Sequence, residues 1–334
     1  MVPVLSRTKC PLAPCSEKRA RRLMERGDAK AYWKQGIFCI ILQRAPSGEE
    51  STEIVVAIDP GSKRTGVTAC TTTRVILNLL QNTPSWVKKK VEKRRGLRNN
   101  RRGRKTPYRK CRSNRSIGGI PPSTKARWRA HLRTVNLLAT ILPVDAVIIE
   151  DIKARTLKGK RKWNKSFSPL QVGKNWFRSE VSKLFTFVSY SGWQTKSHRD
   201  IRGFKKSSSK LKDIWEAHNV DSHSLAEMYL GPITPFKGIL RVDFLNQHRR
   251  RLHAELPTAG GKRRLYGSTM SLGLKRGTLV EHPKYGKSLV GGCSEGRLSL
   301  HDKESGKRLT QRVNREDLKV YTRQIWLSRF ICRD

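Results

Sequence analysis

Four side chains stand where a freely solvated charge would not be placed. Asp59 closes the apolar run Ile54 to Asp59 (IVVAID), Glu150 closes a second run at Val144 to Glu150 (VDAVIIE), and His218 and Asp221 open a helical stretch, Ala217 to Leu230. Carboxylates at the ends of neighbouring buried strands repel one another and lose hydration, so they shift toward the protonated form unless a cation holds them. Hard oxygen ligands converging on one point suit Mg2+, with Mn2+ as a substitute. Two such ions can activate a water and stabilise a leaving oxygen, which is the chemistry of phosphodiester hydrolysis. On this reading Asp59 bridges the ions, Glu150 and Asp221 flank them, and His218 orients or deprotonates the attacking water. His218 and Asp221 are three apart and share a helix face, whereas His223 points elsewhere.

Each residue also has an ordinary reading. Asp59 before Pro60-Gly61 can set a turn, Asp221 is the first-turn acid a helix dipole favours, and His218 can be a plain helix-start histidine. A one-residue change of register would turn Asp151 inward instead of Glu150. Singly these readings compete with catalysis. In this order, on these elements, a catalytic set accounts for all four at once.

The elements that must position them follow from hydrophobic period and turn chemistry. Ile54 to Asp59, Gly66 to Cys70 and Val75 to Leu80 form a three-strand meander with tight turns. Thr124 to Leu142 has an apolar helical face, and Val144 to Glu150 is a further buried strand. A meander followed by a helix and a strand parallel to the first is the order of an α/β, RNase H-like core. Lys153 to Lys174 reads as loop, and Trp176 to Phe187 as helix. Upstream, Ser16 to Arg26 is a basic helix, Ile37 to Leu42 a strand, and APSGEEST a linker. Residues 241–268 are basic with little apolar period, and 277–321 carry short strands with glycine turns, as in a small β-barrel.

Charge narrows the partner. The 334 residues hold 71 Lys+Arg against 26 Asp+Glu, a formal net charge of +45. Such a surface repels itself unless a polyanion neutralises it, which excludes an ordinary small-metabolite enzyme and points to nucleic acid. A basic ribosomal-type protein fits the same numbers, so composition alone assigns no activity. The densest block is Trp86 to Arg115, with 15 Lys or Arg in 30 residues and Glu92 as its one acid. Alone it would be a solvated arm; interrupting a folded core, it reads better as a segment laid along a nucleic-acid backbone. Seven scattered cysteines (10, 15, 39, 70, 111, 293, 332) and no signal-peptide pattern indicate a reducing cytoplasm without structural disulfides. Cys10 and Cys15 lack a second pair to make a zinc site, and no apolar run approaches membrane-spanning length.

These residues carry a family resemblance over nearly the whole chain. Ile58-Asp59-Pro60-Gly61-Ser62 with Gly66 resembles the first RuvC motif, Ile148-Ile149-Glu150-Asp151 the second, and His218-Asn219-Val220-Asp221 the third. Val4-Leu5 through Cys10-Pro11-Leu12-Ala13-Pro14-Cys15 to Ala20-Arg21-Arg22-Leu23 is similar to the PLMP domain of transposon-encoded RuvC-like proteins, with Ala13 in place of the namesake Met. The arginine-rich insertion resembles their bridge helix. Arg249-Arg250-Arg251-Leu252-His253 and Gly260-Gly261-Lys262-Arg263-Arg264 resemble their guide-RNA-binding segment. IscB-type relatives carry an HNH nuclease between the second and third motifs; here 67 residues separate Glu150 from His218, with His198 the one histidine among them. TnpB-type nucleases carry a four-Cys zinc ribbon that this sequence lacks. The pattern is that of IsrB, the HNH-less form.

The resemblance implies an omega-RNA-guided nickase that cuts the DNA strand not paired to the guide, beside a short target-adjacent motif. Its partners would be a noncoding guide RNA and double-stranded target DNA, with the protein monomeric in the ribonucleoprotein of a prokaryotic cytoplasm, and no membrane. The implied organisation is a PLMP domain at 1–52, RuvC part I at 53–85, bridge helix at 86–120, RuvC parts II and III at 121–240, a guide-RNA segment at 241–272 and an SH3-like β domain reading the motif at 273–334. Nucleic-acid contacts are expected from Arg94, Arg95, Arg98, Arg101, Arg102, Arg104, Lys105, Arg109, Arg249, Arg250, Arg251, Lys262, Arg263 and Arg264. Two other functions use the same features: a catalytically silent RNA-binding protein, and a guide-free RuvC-type nuclease acting on branched DNA. An intact acid set weighs against the first, and the large basic insertions against the second.

Overall fold

The computed structural model describes all residues except 47, 49–51, 62, 85, 104–119, 121, 152–168, 210, 245–269, 304, 323–325 and 333–334. It is a mixed α/β structure of two compact units, residues 1–242 with 329–334, and residues 243–328. Among the described residues no helix is long and apolar enough to cross a membrane. Cys10, Cys15, Cys39, Cys70 and Cys293 are free thiols.

The first unit begins with β1 (Val2–Leu5), β2 (Pro11–Cys15), α1 (Glu17–Glu25), β3 (Ala29–Lys34) and β4 (Ile37–Leu42). The four strands pair in the order β2-β1-β4-β3. Ser16 caps α1 by accepting the Arg19 amide, satisfying a donor the helix cannot. Ala20 of that helix lies in a small core with Val2, Val4 and Ile40.

The central sheet carries β5 (Ile54–Asp59), β6 (Arg64–Thr71) and β7 (Val75–Asn82), an antiparallel meander as expected. Next come the basic helix α2 (Trp86–Gly103), α3 (Pro122–Ala139) and β8 (Ala146–Asp151), which lies parallel to β5. Then follow α4 (Pro169–Val181), β9 (Thr186–Ser191), α5 (Gly192–Ile201), α6 (Trp215–His218), α7 (Val220–Leu230) and β10 (Ile239–Phe244). The chain's last strand, Trp326–Cys332, lies at one sheet edge beside β10, and the order continues β7-β6-β5-β8 to β9 at the other edge, seven strands in all.

Alternation along these strands decides what can meet. Val55 and Ala57 of β5 and Ala146 and Ile148 of β8 face Leu225 and Ala226 of α7, all fully buried or nearly so. The opposite parity, Val56, Ile58, Val147 and Ile149, is buried too. On that side Phe177 of α4 packs on Trp128 of α3 and on Phe187 of β9, and His131 of α3 bonds Gln81 of β7 at 3.2 Å. A sheet covered on both faces explains why its strands read as continuous apolar runs rather than alternating ones.

Two expectations fail here. The helix expected at Trp176 to Phe187 starts at Pro169, inside the stretch expected as loop, and ends at Val181; Thr186–Ser191 is an edge strand parallel to β8. Proline suits a first helical position, and a half-exposed edge strand need not show a clean apolar pattern. The single helix expected from Ala217 is broken at Asn219 into α6 and α7.

The second unit holds a hairpin, β11 (Met270–Ser271) with β12 (Leu274–Lys275), and β13 (Leu279–His282), β14 (Gly286–Ser294), β15 (Arg297–Asp302), β16 (Arg308–Val313) and β17 (Lys319–Thr322). These last five form an antiparallel sheet around Val280, Val290, Leu298, Leu300 and Val313. The final strand is β18 (Trp326–Cys332), and residues 329–334 belong with the first unit, so the expected 273–334 segment is divided between the two.

Candidate active site

Strand parity builds the site. Asp59 continues the series Val55, Ala57, and Glu150 continues Ala146, Ile148, so both carboxyls emerge on the α7 side of the sheet, at the C-terminal ends of two paired parallel strands. Asp151 has the opposite parity and ion-pairs with Lys174 of α4. The structure therefore turns Glu150 toward Asp59, and Asp151 away from it.

The third acid, Asp221, lies in the first turn of α7 and is nearly fully buried. What seats it is a close approach of backbones. A Cβ on Gly66 would lie 1.8 Å from the His218 carbonyl oxygen, so only glycine lets the α6–α7 junction rest on β6. Asn219, at the break, donates its amide hydrogens to the carbonyls of Val67 and Leu79 at 3.1 and 3.2 Å, pinning the junction across β6 and β7. Gly61 serves the turn after Asp59 in the same way, its missing Cβ leaving room for the Arg64 carbonyl.

The three acids sense one another. Asp59 is pushed up to about 8, first by desolvation and then by the negative charges of Glu150 and Asp221, and it shares a hydrogen bond with Glu150. Glu150 is also raised, by burial and by Asp221, while Lys206 and Arg199 pull it back. Near neutral pH one proton therefore sits between Asp59 and Glu150, where two bare carboxylates would repel.

Two cations complete the cluster. Arg199 of α5 donates to Asp221 Oδ1 at 2.5 Å, and Lys206 donates to Asp221 Oδ2. The Lys206 ammonium is held above its usual range: burial opposes the charge, but the Asp221 hydrogen bond and the charges of Asp221 and Asp59 outweigh it. Neither cation was singled out from sequence, where both lie within a stretch dense in lysine and arginine.

His218 is placed differently from the expectation. Because the helix breaks at Asn219, it does not share a continuous helix face with Asp221. Its Nε2 lies 3.0 Å from the Lys212 carbonyl and 3.4 Å from Arg64 Nη1. Burial is the main cause that lowers its pKa, followed by opposing effects of the Lys212 bond and Arg64, so the ring is neutral at pH 7. With Nε2–H donated to Lys212, Nδ1 is the basic atom. Arg64 also bridges to Asp213 at 2.6 Å, which Arg241 binds at 2.8 Å from the other side, fixing the loop that leads into α6.

The donor set fits a divalent cation in chemistry: three oxygen ligands, mutually destabilised, at the mouth of a desolvated sheet end. Asp59 and Glu150 are its open members. Among the described residues no group of three His, Cys, Asp or Glu stands ready to enclose an ion, and both Asp221 oxygens are bonded to Arg199 and Lys206.

Of the expected nucleic-acid contacts, Arg94, Arg95, Arg98, Arg101 and Arg102 lie on α2, where Arg95 and Arg98 are exposed. Arg104, Lys105, Arg109, Arg249, Arg250, Arg251, Lys262, Arg263 and Arg264 lie outside the described residues.

Comparison with known proteins gives three findings. The family described as "RRXRR protein" matches residues 2–163, just under half of the chain. No curated protein matches. Among solved structures, RuvC of T. thermophilus in complex with a Holliday junction substrate is similar at 15% identity and a TM-score of 0.28, over 52% of this chain and 90% of that one. The yeast mitochondrial Holliday junction resolvase Ydc2 is similar at 13% identity and a TM-score of 0.29, over 55% and 80%.

Proposed function

We propose that this chain is a divalent-metal-dependent DNA endonuclease of RuvC type, working as an RNA-guided nickase. The observation that carries the proposal is the convergence of Asp59, Glu150 and Asp221 on one side of the sheet, from three separated segments, at a cost in charge repulsion that folding alone gives no reason to bear. Asp59 and Glu150 would hold a divalent ion, with Asp221 as the third acid of the set. When bound, the ion supplies an activated water and charge compensation for the leaving oxygen. His218 accepts the water's proton at Nδ1 as the new P–O bond forms and the old one breaks, its Nε2 being tied to Lys212. Asn219 and Gly66 keep His218 and Asp221 seated on the sheet.

Guidance by RNA rests on other features. A net charge of +45 calls for a large polyanion, and the basic helix α2 interrupts the core between β7 and α3 as a bridge helix does. Residues 1–52 serve as the PLMP domain, 241–272 as the guide-RNA segment, and 273–334 as the region reading the target-adjacent motif. Base pairing carries sequence while protein contacts carry backbone and shape. The cluster of Asp59, Glu150 and Asp221 serves one strand, and the displaced single strand is the one free to enter it.

The test is to sequence the RNA that copurifies with the protein and to offer the complex a plasmid matching its guide. A discrete noncoding RNA and magnesium-dependent cutting at the matched site support the proposal; heterogeneous RNA with no site-directed cutting contradicts it.

A further inference from the structure

The acid cluster already contains a cation. Lys206 donates to Asp221 Oδ2, and it is close enough to Asp59 and Glu150 for its charge to offset part of their repulsion. Arg199 saturates the remaining Asp221 oxygen. The placement is built in. Arg199 is in the last turn of α5, whose first residue, Gly192, is packed against Glu150: a Cβ there would meet Glu150 Oε1 at 3.1 Å. Lys206 follows five residues after α5 ends. The side chains of Arg199 and Lys206 are 15% and 36% exposed, so both charges are partly withdrawn from water and held against one carboxylate.

Three carboxylates against two fixed cations leave one surplus negative charge. Once the proton shared by Asp59 and Glu150 has left, one divalent ion on their side brings the cluster to a net +1, whereas a second on the Asp221 side would bring it to +3 and would have to displace an ammonium already bound to its ligand. Resting on the reading of this cluster as a cation-dependent nuclease site, the geometry points to a sharper statement: Lys206 is a positioning residue that takes the place of one of two divalent ions, so the cluster binds a single ion beside a fixed lysine.

Counting bound ions tests this without reference to activity. Full-length protein, stripped of nucleic acid, is titrated with Mn2+ alone, and bound ion is counted by electron paramagnetic resonance and calorimetry. The Asp59→Asn/Glu150→Gln double variant sets the background, which the strongly positive protein keeps low. Wild type is expected to bind one Mn2+ above background. Lys206→Met should gain a second ion, or tighten the first by about tenfold or more, as removal of a positive charge at contact distance requires. Lys206→Arg, which keeps the charge, should retain the single ion, and melting curves of both variants check the fold. Two ions in wild type, or a Lys206→Met titration identical to wild type, overturns the assignment while leaving the site a cation site. No binding above background overturns both the assignment and the reading it rests on.

Discussion

Two ionic clusters lie along α7, at Asp221 and at Glu227, and the two are built on opposite charge logic. At the upper one, Arg199 and Lys206 face three acids, Asp221, Glu150 and Asp59. At the lower one, a single acid, the fully buried Glu227, is met by Arg202 through two hydrogen bonds of 3.0 and 3.2 Å and by the Ile233 amide at 3.0 Å, with His223 and His198 nearby at 3.4 and 3.8 Å. Donors exceed acceptors below and acids exceed cations above. A cluster with its acid satisfied is a clamp. One with surplus, mutually repelling acids calls for something the chain does not supply, and at the end of paired strands β5 and β8 that is a cation.

The contrast breaks most visibly under substitution of the acids. Asp59→Asn and Glu150→Gln should each lower cleavage below detection while leaving the melting temperature unchanged or raised, because each removes a repelling charge. Asp221→Asn should abolish cleavage too but lower the melting temperature, since it leaves Arg199 and Lys206 without their carboxylate. Glu227→Ala should do the reverse of the first two: it strands the Ile233 amide and removes the partner of Arg202, lowers the melting temperature, and lowers activity only through loss of folded protein. Thermal melts beside single-turnover rates separate the two, and equal destabilisation by Asp59→Asn and Glu227→Ala would erase the distinction.

How much of this was legible in the sequence follows the same division. Asp59 and Glu150 could be found because an acid ending an apolar run is rare and strand alternation is simple. Asp221 could be found because it opens a helix. What escaped was set by tertiary contacts. Arg199 and Lys206 lie among so many cations that no periodicity marks them. Thr186 and Phe187, which open the half-exposed edge strand Thr186–Ser191, read as the end of a helix. The break at Asn219 is invisible because asparagine tolerates a helix, and its side chain finds Val67 and Leu79 only once β6 and β7 are paired.

A smaller effect sharpens the role of the histidine next to the upper cluster. His218→Ala should slow cleavage about 100-fold or more with little change in stability. Because burial lowers the His218 pKa, the acidic limb of the wild-type rate profile should fall below the usual histidine range and vanish in the variant. A profile whose acidic limb survives the substitution would assign it to another group.

The helix α2 supplies a third kind of charged region, in which Arg95 and Arg98 are exposed. Charge reversal at Arg94, Arg95, Arg101 and Arg102 should spare both catalysis at saturating substrate and stability. It should flatten the salt dependence of RNA binding by about 0.7 to 0.9 in the log-log slope per lost phosphate contact. An unchanged slope would make α2 a passive solvated helix.

A further effect, on stability rather than activity, concerns pH. Asp59 titrates near 8 in the folded protein against 3.8 as its ordinary value, so between those limits the folded state binds the proton more tightly than the unfolded state. Stability of the metal-free protein therefore falls as pH rises through this window, and above 8 the full penalty is present. Asp59→Asn removes it, and its advantage over wild type should grow from pH 5 to pH 8 and then level off, by on the order of 2–4 °C per kcal/mol recovered. Added Mn2+ should restore wild type and leave the variant unmoved.

The most direct test of the acid cluster as a nuclease centre uses the protein with its copurified RNA, a supercoiled plasmid bearing the matched target, and strand-specific end labels on the corresponding linear duplex. With Mg2+, open circles should accumulate and only the strand not paired to the guide should shorten, while Asp59→Asn leaves both substrates intact. Efficient linearisation of the plasmid, or cutting by Asp59→Asn at the wild-type rate, would contradict the account.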